Sequence, residues 1–172
     1  MTKIHPIYQT RPGLESAAVE LLEVGQHTIL GTENEDGSVH LTVVSYLFDK
    51  DRVYIEPSAA SRKAQNVRAR PRATILIQDH RAEGTAWVLG SGPAELLVGE
   101  PAQQVNRLIR DRFLTERGEQ QVGKVMSIYD DVTIAVIPEK WMAWDMNALY
   151  ATLAEHGLSI DESDDWFLRV NA

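Results

Sequence analysis

Apolar residues recur at helical spacing in four segments of the chain. After Pro12 they return every three or four positions as far as Leu22, and Gly25 stands where this first helix would end. Further helices are predicted over Ser61–Arg70 before Pro71, from Pro101 through Phe113, and over Met146–His156 with Gly157 as its stop.

The segments between these helices have the apolar, β-branched texture of strands broken by turn residues. Six strands are predicted, over His27–Gly31, Val39–Phe48, Arg52–Glu56, Ala73–Gln78, Thr85–Val98 and Val132–Ile137. Gly90 and Gly92 lie inside the fifth strand, where glycine usually indicates a bulge or a sharp barrel bend. The pattern predicts a mainly β (α+β) fold with a closed or half-closed sheet.

Composition indicates one globular domain spanning residues 1–172. Hydrophobic residues make up 44% and charged residues 24% of the 172-residue chain, a balance typical of a protein with one real core. After the last predicted helix, the chain has a short acidic extension containing Asp161, Glu162, Asp164 and Asp165.

Several function classes find no support in the sequence. There is no cysteine, and the five histidines have no metal-ligand spacing, so no metal site is predicted. A net charge of −8 argues against nucleic acid or anionic membrane as partners. The first residues lack the apolar core of a signal peptide and no segment is apolar enough to span a membrane, so we expect a cytoplasmic protein.

The segment Pro57–Arg72 is locally basic in an acidic chain. It contains Arg62, Lys63, Arg68, Arg70 and Arg72 and no carboxylate. Ser58 or Ser61 can cap the predicted helix, which puts Arg62 and Lys63 beside free backbone N–H groups at the positive end of the helix dipole. A phosphate would accept those N–H bonds and pair with both cations. From spacing alone, a solvated basic surface is an equal alternative.

Three segments, together with the order of elements, resemble the pyridoxamine 5'-phosphate oxidase-like split barrels that bind FMN or a deazaflavin. They are VHLTVVSYLFD (Val39–Asp49), VYIEPSAASRKAQNVRARPRATILIQD (Val53–Asp79) and VTIAVIPEKWMAWD (Val132–Asp145). The second is the most specific, because a strand leads into SRK and a helix that ends at N-x-x-x-x-P-R. The resemblance implies a six-stranded antiparallel split β-barrel with peripheral helices, forming a homodimer with the cofactor at the subunit interface.

The resemblance also implies where a cofactor binds. Ser61, Arg62 and Lys63 correspond to positions that hold the flavin phosphate, and the strand through Thr42, Val43 and Ser45 corresponds to one that runs beneath the isoalloxazine ring. Gln78 matches a position where the family often has an amide near the cofactor, although an exposed strand-end residue is an equal alternative. Trp87 and Trp144 are candidates for walls beside the ring, contributed by the neighbouring subunit, or for ordinary core residues.

The function implied is a flavin- or deazaflavin-dependent oxidoreductase that passes a hydride to or from an unidentified small molecule. True pyridoxamine phosphate oxidases have an arginine and a lysine on the strand before SRK, whereas Leu41–Leu47 has no basic residue, so vitamin B6 is not the expected substrate. FMN ranks ahead of coenzyme F420, because of the later basic residues only Arg70 falls near the helix face of Lys63. A non-enzymatic flavin or haem binder, acting as carrier, sensor or store, is the alternative. No catalytic residue is assigned.

Overall fold

The computed structural model describes residues 16–78, 86–126, 128 and 130–158. In these ranges the helices are α1 (Ser16–Val24), α2 (Arg62–Ala69), α3 (Glu100–Phe113), α4 (Glu116–Met126) and α5 (Met146–Glu155). The strands are β1 (His27–Glu33), β2 (Val39–Ser45), β3 (Leu47–Asp49), β4 (Arg52–Ile55), β5 (Arg72–Gln78), β6 (Ala86–Leu97), β7 (Thr133–Val136) and β8 (Lys140–Asp145). The predicted acidic extension lies outside the described residues.

All the strands join one antiparallel sheet whose centre is the long strand β6. The strand order is β2-β1-β5-β6-β7-β4-β3, and β8 also pairs with β6. Residues Ala86–Ser91 of β6 pair with β8, and Ala94–Leu97 pair with β7. The strand-rich split barrel with peripheral helices is confirmed, whereas the predicted number of six strands was wrong, because the sheet has eight strands among the described residues. None of the described helices is long and apolar enough to cross a membrane.

One of the extra strands arises because the predicted strand Val39–Phe48 divides at Tyr46. Before this residue β2 pairs with β1, and after it β3 pairs with β4. Tyr46 is fully buried, and its hydroxyl donates a hydrogen bond to the Leu22 carbonyl at 2.9 Å. Burial raises the pKa of Tyr46 to about 12, so the phenol keeps its donor proton at neutral pH. The contact with α1 therefore fixes the point at which the chain stops pairing with β1 and begins to pair with β4.

The other extra strand, β8, and helix α4 were not among the predicted elements. The run through Trp141 and Trp144 is apolar without clear alternation, and only its pairing with β6 makes it a strand. Helix α4 contains Gly118 and Gly123, which lower its helix propensity, and it buries none of its residues.

Gly90 and Gly92 make room for another segment of the chain. The register of β5 and β6 runs unbroken from Arg72 with Pro93 to Gln78 with Trp87, so the predicted bulge is absent from this pair. A Cβ at Gly90 would lie 2.8 Å from the ring of Trp141, and one at Gly92 would overlap the backbone of residues 137–139. The backbone N–H groups of Ile137 and Glu139 donate to the Pro93 and Ser91 carbonyls, so the link between β7 and β8 stays on one edge of β6. Residues 137–139 oppose only Gly92 and Pro93, and the glycines therefore make room for a bulge in the pairing along this edge.

The sheet has a core side and an open side. Leu30, Ile75 and Val88 are buried on the core side. Side chains alternate along a strand, so Val39, Leu41 and Val43 of β2 point the other way, and they are 64%, 63% and 70% exposed. Strand register extends this surface, which we call the outer face, across the sheet through the half-buried residues Ile29, Leu76, Leu89 and Met142.

Gly92→Ala should lower the free energy of unfolding by about 1–3 kcal/mol, because backbone atoms must move to admit the new methyl group. Gly123→Ala is the matched control, since a Cβ there meets no atom within 4 Å. In helix α4 that change should raise the free energy of unfolding by about 0.5–1 kcal/mol. Urea unfolding measures both, and equal midpoints for the two variants would contradict the close approach.

Candidate functional site

A cavity of about 480 Å³ opens where the ends of β2 and β4 meet helices α2, α3 and α4. Its polar lining includes Ser45, Glu56, Ser58, Ser61, Lys63 and Arg110. Its apolar lining is Val44, Pro57, Ile109, Phe113, Leu114, Val122 and Met126. The cavity therefore combines several hydrogen-bonding groups and two cations with a hydrophobic wall, a combination that suits a small molecule with one anionic end.

Helix α2 is positioned at the cavity by its cap and by one buried amide. The Ser61 side chain accepts a hydrogen bond from the Ala64 backbone N–H at 3.4 Å, and Arg62 is the first helical residue. Asn66, buried within the helix, donates to the Thr32 hydroxyl at 3.1 Å and to the Asn34 side-chain oxygen at 2.9 Å. These bonds tie α2 to β1 and direct its first turn at the cavity.

Lys63 is the cation of that first turn which reaches the cavity. Its side chain is half-buried, and none of the described carboxylates forms an ion pair with it. Burial lowers the pKa of Lys63, because desolvation disfavours the charged form. An ammonium held at the positive end of a helix without a counter-charge is an electrostatic conflict that a bound anion would relieve.

Arg110 of α3 is the second cation of the cavity, and two carboxylates hold it. Its Nε donates to Glu56 Oε2 at 3.2 Å, and its Nη2 contacts Glu56 Oε1 and lies 2.6 Å from Asp131 Oδ2. The three side chains are only 10–19% exposed. Burial raises the pKa of Glu56, opposed by the hydrogen bonds and charge of Arg110.

Helix α4 and the end of α3 form the apolar wall of the cavity. Phe113, Leu114, Val122 and Met126 all line it, although α4 buries none of its own residues. The wall therefore depends on a helix that packs mainly along the rim of the cavity.

The predicted phosphate residues divide between the cavity and the surface. Ser61 and Lys63 line the cavity together with Ser45. Arg62 is exposed and is absent from the cavity lining. It lies near the β1–β2 turn, where hydrogen bonds from Ser38, with a smaller contribution from the Arg62 charge, lower the pKa of Asp36.

The remaining predicted residues lie on the sheet. Gln78, Trp87 and Trp144 are direct cross-strand partners on β5, β6 and β8, and they share the outer face with Val43. Thr42 points to the core side instead, where its hydroxyl is buried without a hydrogen-bond partner among the described residues. Trp87 and Trp144 are three and four strands away from Ser45, about 14 and 19 Å along the sheet. One subunit therefore does not bring the two tryptophans to the cavity.

Sequence reasoning missed Glu56, Arg110 and the wall from α4. Glu56 ends an ordinary strand, and Arg110 is one of several charged residues on a helix with a regular apolar face, so neither had a local signal. Glu56 and Arg110 come into contact only because α3 packs across β4 and β7. No sequence motif predicts that packing.

Solved structures share this architecture. A conserved hypothetical protein from Mycobacterium tuberculosis superposes with a TM-score of 0.68 at 23% identity, over 82% of this chain and 92% of that one. The heme storage protein HutZ from Vibrio cholerae gives 0.63 at 17% identity, over 77% and 94% of the two chains. An F420 reductase gives 0.57 at 20% identity, over 74% and 98%. At these identities the likeness establishes the fold alone.

Sequence comparison is more selective. No curated protein sequence matches the chain. The family model described as pyridoxamine 5'-phosphate oxidase matches residues 14–145, which include every strand of the sheet and the whole cavity. Because that match covers well over half of the chain, the protein belongs to the pyridoxamine 5'-phosphate oxidase family.

Proposed function

We propose that the protein binds a phosphorylated flavin, FMN in preference to coenzyme F420, and acts as an oxidoreductase on a small molecule. The observation that supports this most is Lys63, a half-buried ammonium without a described counter-ion, in a cavity beside the capped start of α2. A phosphate there would supply the missing negative charge and accept the free N–H groups of the first helical turn.

The residues of the cavity fit one phosphate. Lys63 would pair with it, and the hydroxyls of Ser45 and Ser58, which line the same cavity, can donate to its oxygens. The apolar wall of Phe113, Val122 and Met126 would exclude water from these contacts and so strengthen them. When bound, the flavin supplies the hydride chemistry, and this chain supplies binding and orientation.

The later basic residues support FMN over coenzyme F420, whose acidic tail needs a longer basic track. The Arg70 Nε donates to the Glu33 carbonyl at 3.0 Å, and Arg72 lies 3.7 Å from a carboxylate oxygen of Glu139. Both side chains are therefore engaged away from the cavity, so no continuous track leads from Lys63 along α2.

The outer face supports a homodimer in which each subunit completes the site of its partner. Three alternate apolar residues of the edge strand β2 are more than 60% exposed, and the surface continues across the sheet. A twofold axis pairs the same apolar surface of two subunits, so a second copy is a suitable cover. Such pairing would allow Trp87 and Trp144 of one subunit to approach the cavity of the other.

Lys63→Met should weaken FMN binding roughly ten- to a hundredfold, the usual value of a hydrogen bond to a charged group. The free energy of unfolding should stay equal or rise, because the change removes a desolvated ammonium. Arg107→Met on the exposed side of α3 removes the same charge and is the control, expected to leave both quantities unchanged. Fluorescence titration and urea unfolding measure them, and an unaltered FMN affinity in Lys63→Met would remove the phosphate site.

Leu41→Lys should convert a dimer into a monomer, because it places a charge in the middle of the exposed apolar row of β2. Val98→Lys is the matched control, since Val98 is 61% exposed but lies beyond the end of β6. Sedimentation velocity at micromolar concentration gives the state of each variant. A wild-type monomer that still binds FMN would defeat the shared-site proposal.

Oxidoreductase activity predicts that the visible spectrum of bound FMN bleaches when NADPH or NADH is added and recovers with an electron acceptor. Titrating the apo-protein with coenzyme F420 at low and raised salt tests the other cofactor. F420 binding that is tighter than FMN binding and falls steeply with salt would reverse the ranking, because exposed ion pairs are screened. Bound FMN that no reductant changes would indicate a carrier instead of an enzyme.

A further inference from the structure

The guanidinium of Arg110 has hydrogen-bonding capacity that its protein contacts leave unused. Arginine has five N–H donors, one on Nε and two on each Nη. The contacts with Glu56 and Asp131 engage the Nε donor and both donors of Nη2. None of the hydrogen bonds among the described residues uses Nη1, so its two donors remain available.

The free donors belong to a side chain that lines the same cavity as Lys63. Arg110 is 18% exposed, which is consistent with a guanidinium that meets the cavity on one side and protein on the other. The two carboxylates fix its orientation, since Glu56 accepts hydrogen bonds from Nε and Nη2 and Asp131 accepts one from Nη2. Pre-orienting a planar fork in this way lowers the entropy lost when an oxyanion binds to it.

We propose that Arg110 is the second cation of the phosphate site, donating from Nη1 to an oxygen of a phosphate monoester whose other oxygens face Lys63. This inference rests on the proposed function, because it names a further binding residue for the same cavity. The ligand class is a terminal phosphate monoester such as that of FMN, whose three free oxygens can meet two cations and the serine hydroxyls at once.

Two carboxylates balance the charge of the two cations at the site. Lys63 and Arg110 bring two positive charges, while Glu56 and Asp131 bring two negative ones. The carboxylates therefore hold Arg110 in place at the cost of opposing an anion. Comparison of variants must accordingly remove Arg110 without leaving these two carboxylates buried and unpaired, which would destabilise the protein by itself.

The test compares two variants that differ only at residue 110. One is Glu56→Gln with Asp131→Asn, and the other adds Arg110→Gln to the same pair. For each, the affinities for FMN and for riboflavin, which lacks the phosphate, are measured, and their ratio isolates the phosphate contribution. We expect the ratio to be about tenfold or more lower when Arg110 is absent, as for loss of a charge-assisted hydrogen bond.

The riboflavin arm separates this inference from the proposed function. A structural role for Arg110 would change FMN and riboflavin affinity together and leave the ratio equal in the two variants, which would overturn the inference. A wild-type ratio near one would instead remove the phosphate site altogether. A wild-type ratio that Lys63→Met lowers, with no difference between the two variants, would leave the proposed function standing and reject Arg110.

If the triple variant does not fold, as judged by circular dichroism, Arg110→Lys decides. Lysine can keep the ion pairs with Glu56 and Asp131 but has no planar fork with a second free edge. We expect a fold with near wild-type riboflavin affinity and an FMN-to-riboflavin ratio reduced by about threefold or more. An unchanged ratio in this variant would overturn the inference.

Discussion

The architecture depends on the close packing of the link between β7 and β8 against the glycines of β6. A single twelve-residue strand pairs along its first half with β8 and along its second half with β7, while β5 pairs on its other edge. The chain between β7 and β8 stays hydrogen-bonded to one edge of β6 and bulges at the point where the partner changes. Only a residue without a Cβ fits against this bulge at Gly92. The two halves of the sheet are joined by β6 itself, and the cavity lies where strands of both halves end.

Placement of the cavity follows from that join. Strand β2 belongs to one half of the sheet and β4 to the other, yet Ser45 and Glu56 at their ends line the same space. Tyr46 fixes the crossing between the halves by donating to α1, and Asn66 fixes α2 to β1. The first turn of α2 is thereby held at the junction with its cations in a place where the helix dipole opposes them. Rigid tertiary contacts thus maintain an electrostatic conflict that local sequence would not favour.

Local and long-range features were predictable to different degrees. Helix α2 and its Ser61 cap are encoded within a few residues, and the sequence predicted the helix from them. At its first turn the sequence left an anion site and a solvated basic surface as equal alternatives, and the structure places Lys63 in the cavity. Strand β8 is defined by pairing with a distant segment, and Arg110 meets Glu56 only after α3 has packed. Periodicity cannot report such contacts, because it describes a single element. Arg62 is next to Lys63 in the sequence, yet only Lys63 lines the cavity. Neighbouring positions in a sequence therefore do not by themselves predict a shared site.

The residues implied by family resemblance form two separate groups in one subunit, and this separation constrains how a flavin could bind. One group surrounds Lys63, and the other is the row of Gln78, Trp87 and Trp144 on the outer face. None of these three side chains lines the cavity of its own subunit. The outer face is also where the apolar surface of β2 is exposed, so the contact that would cover it and the contact that would bring tryptophans to a cavity are the same contact. In the proposed homodimer, formation of the dimer and completion of the cofactor site would therefore be one event.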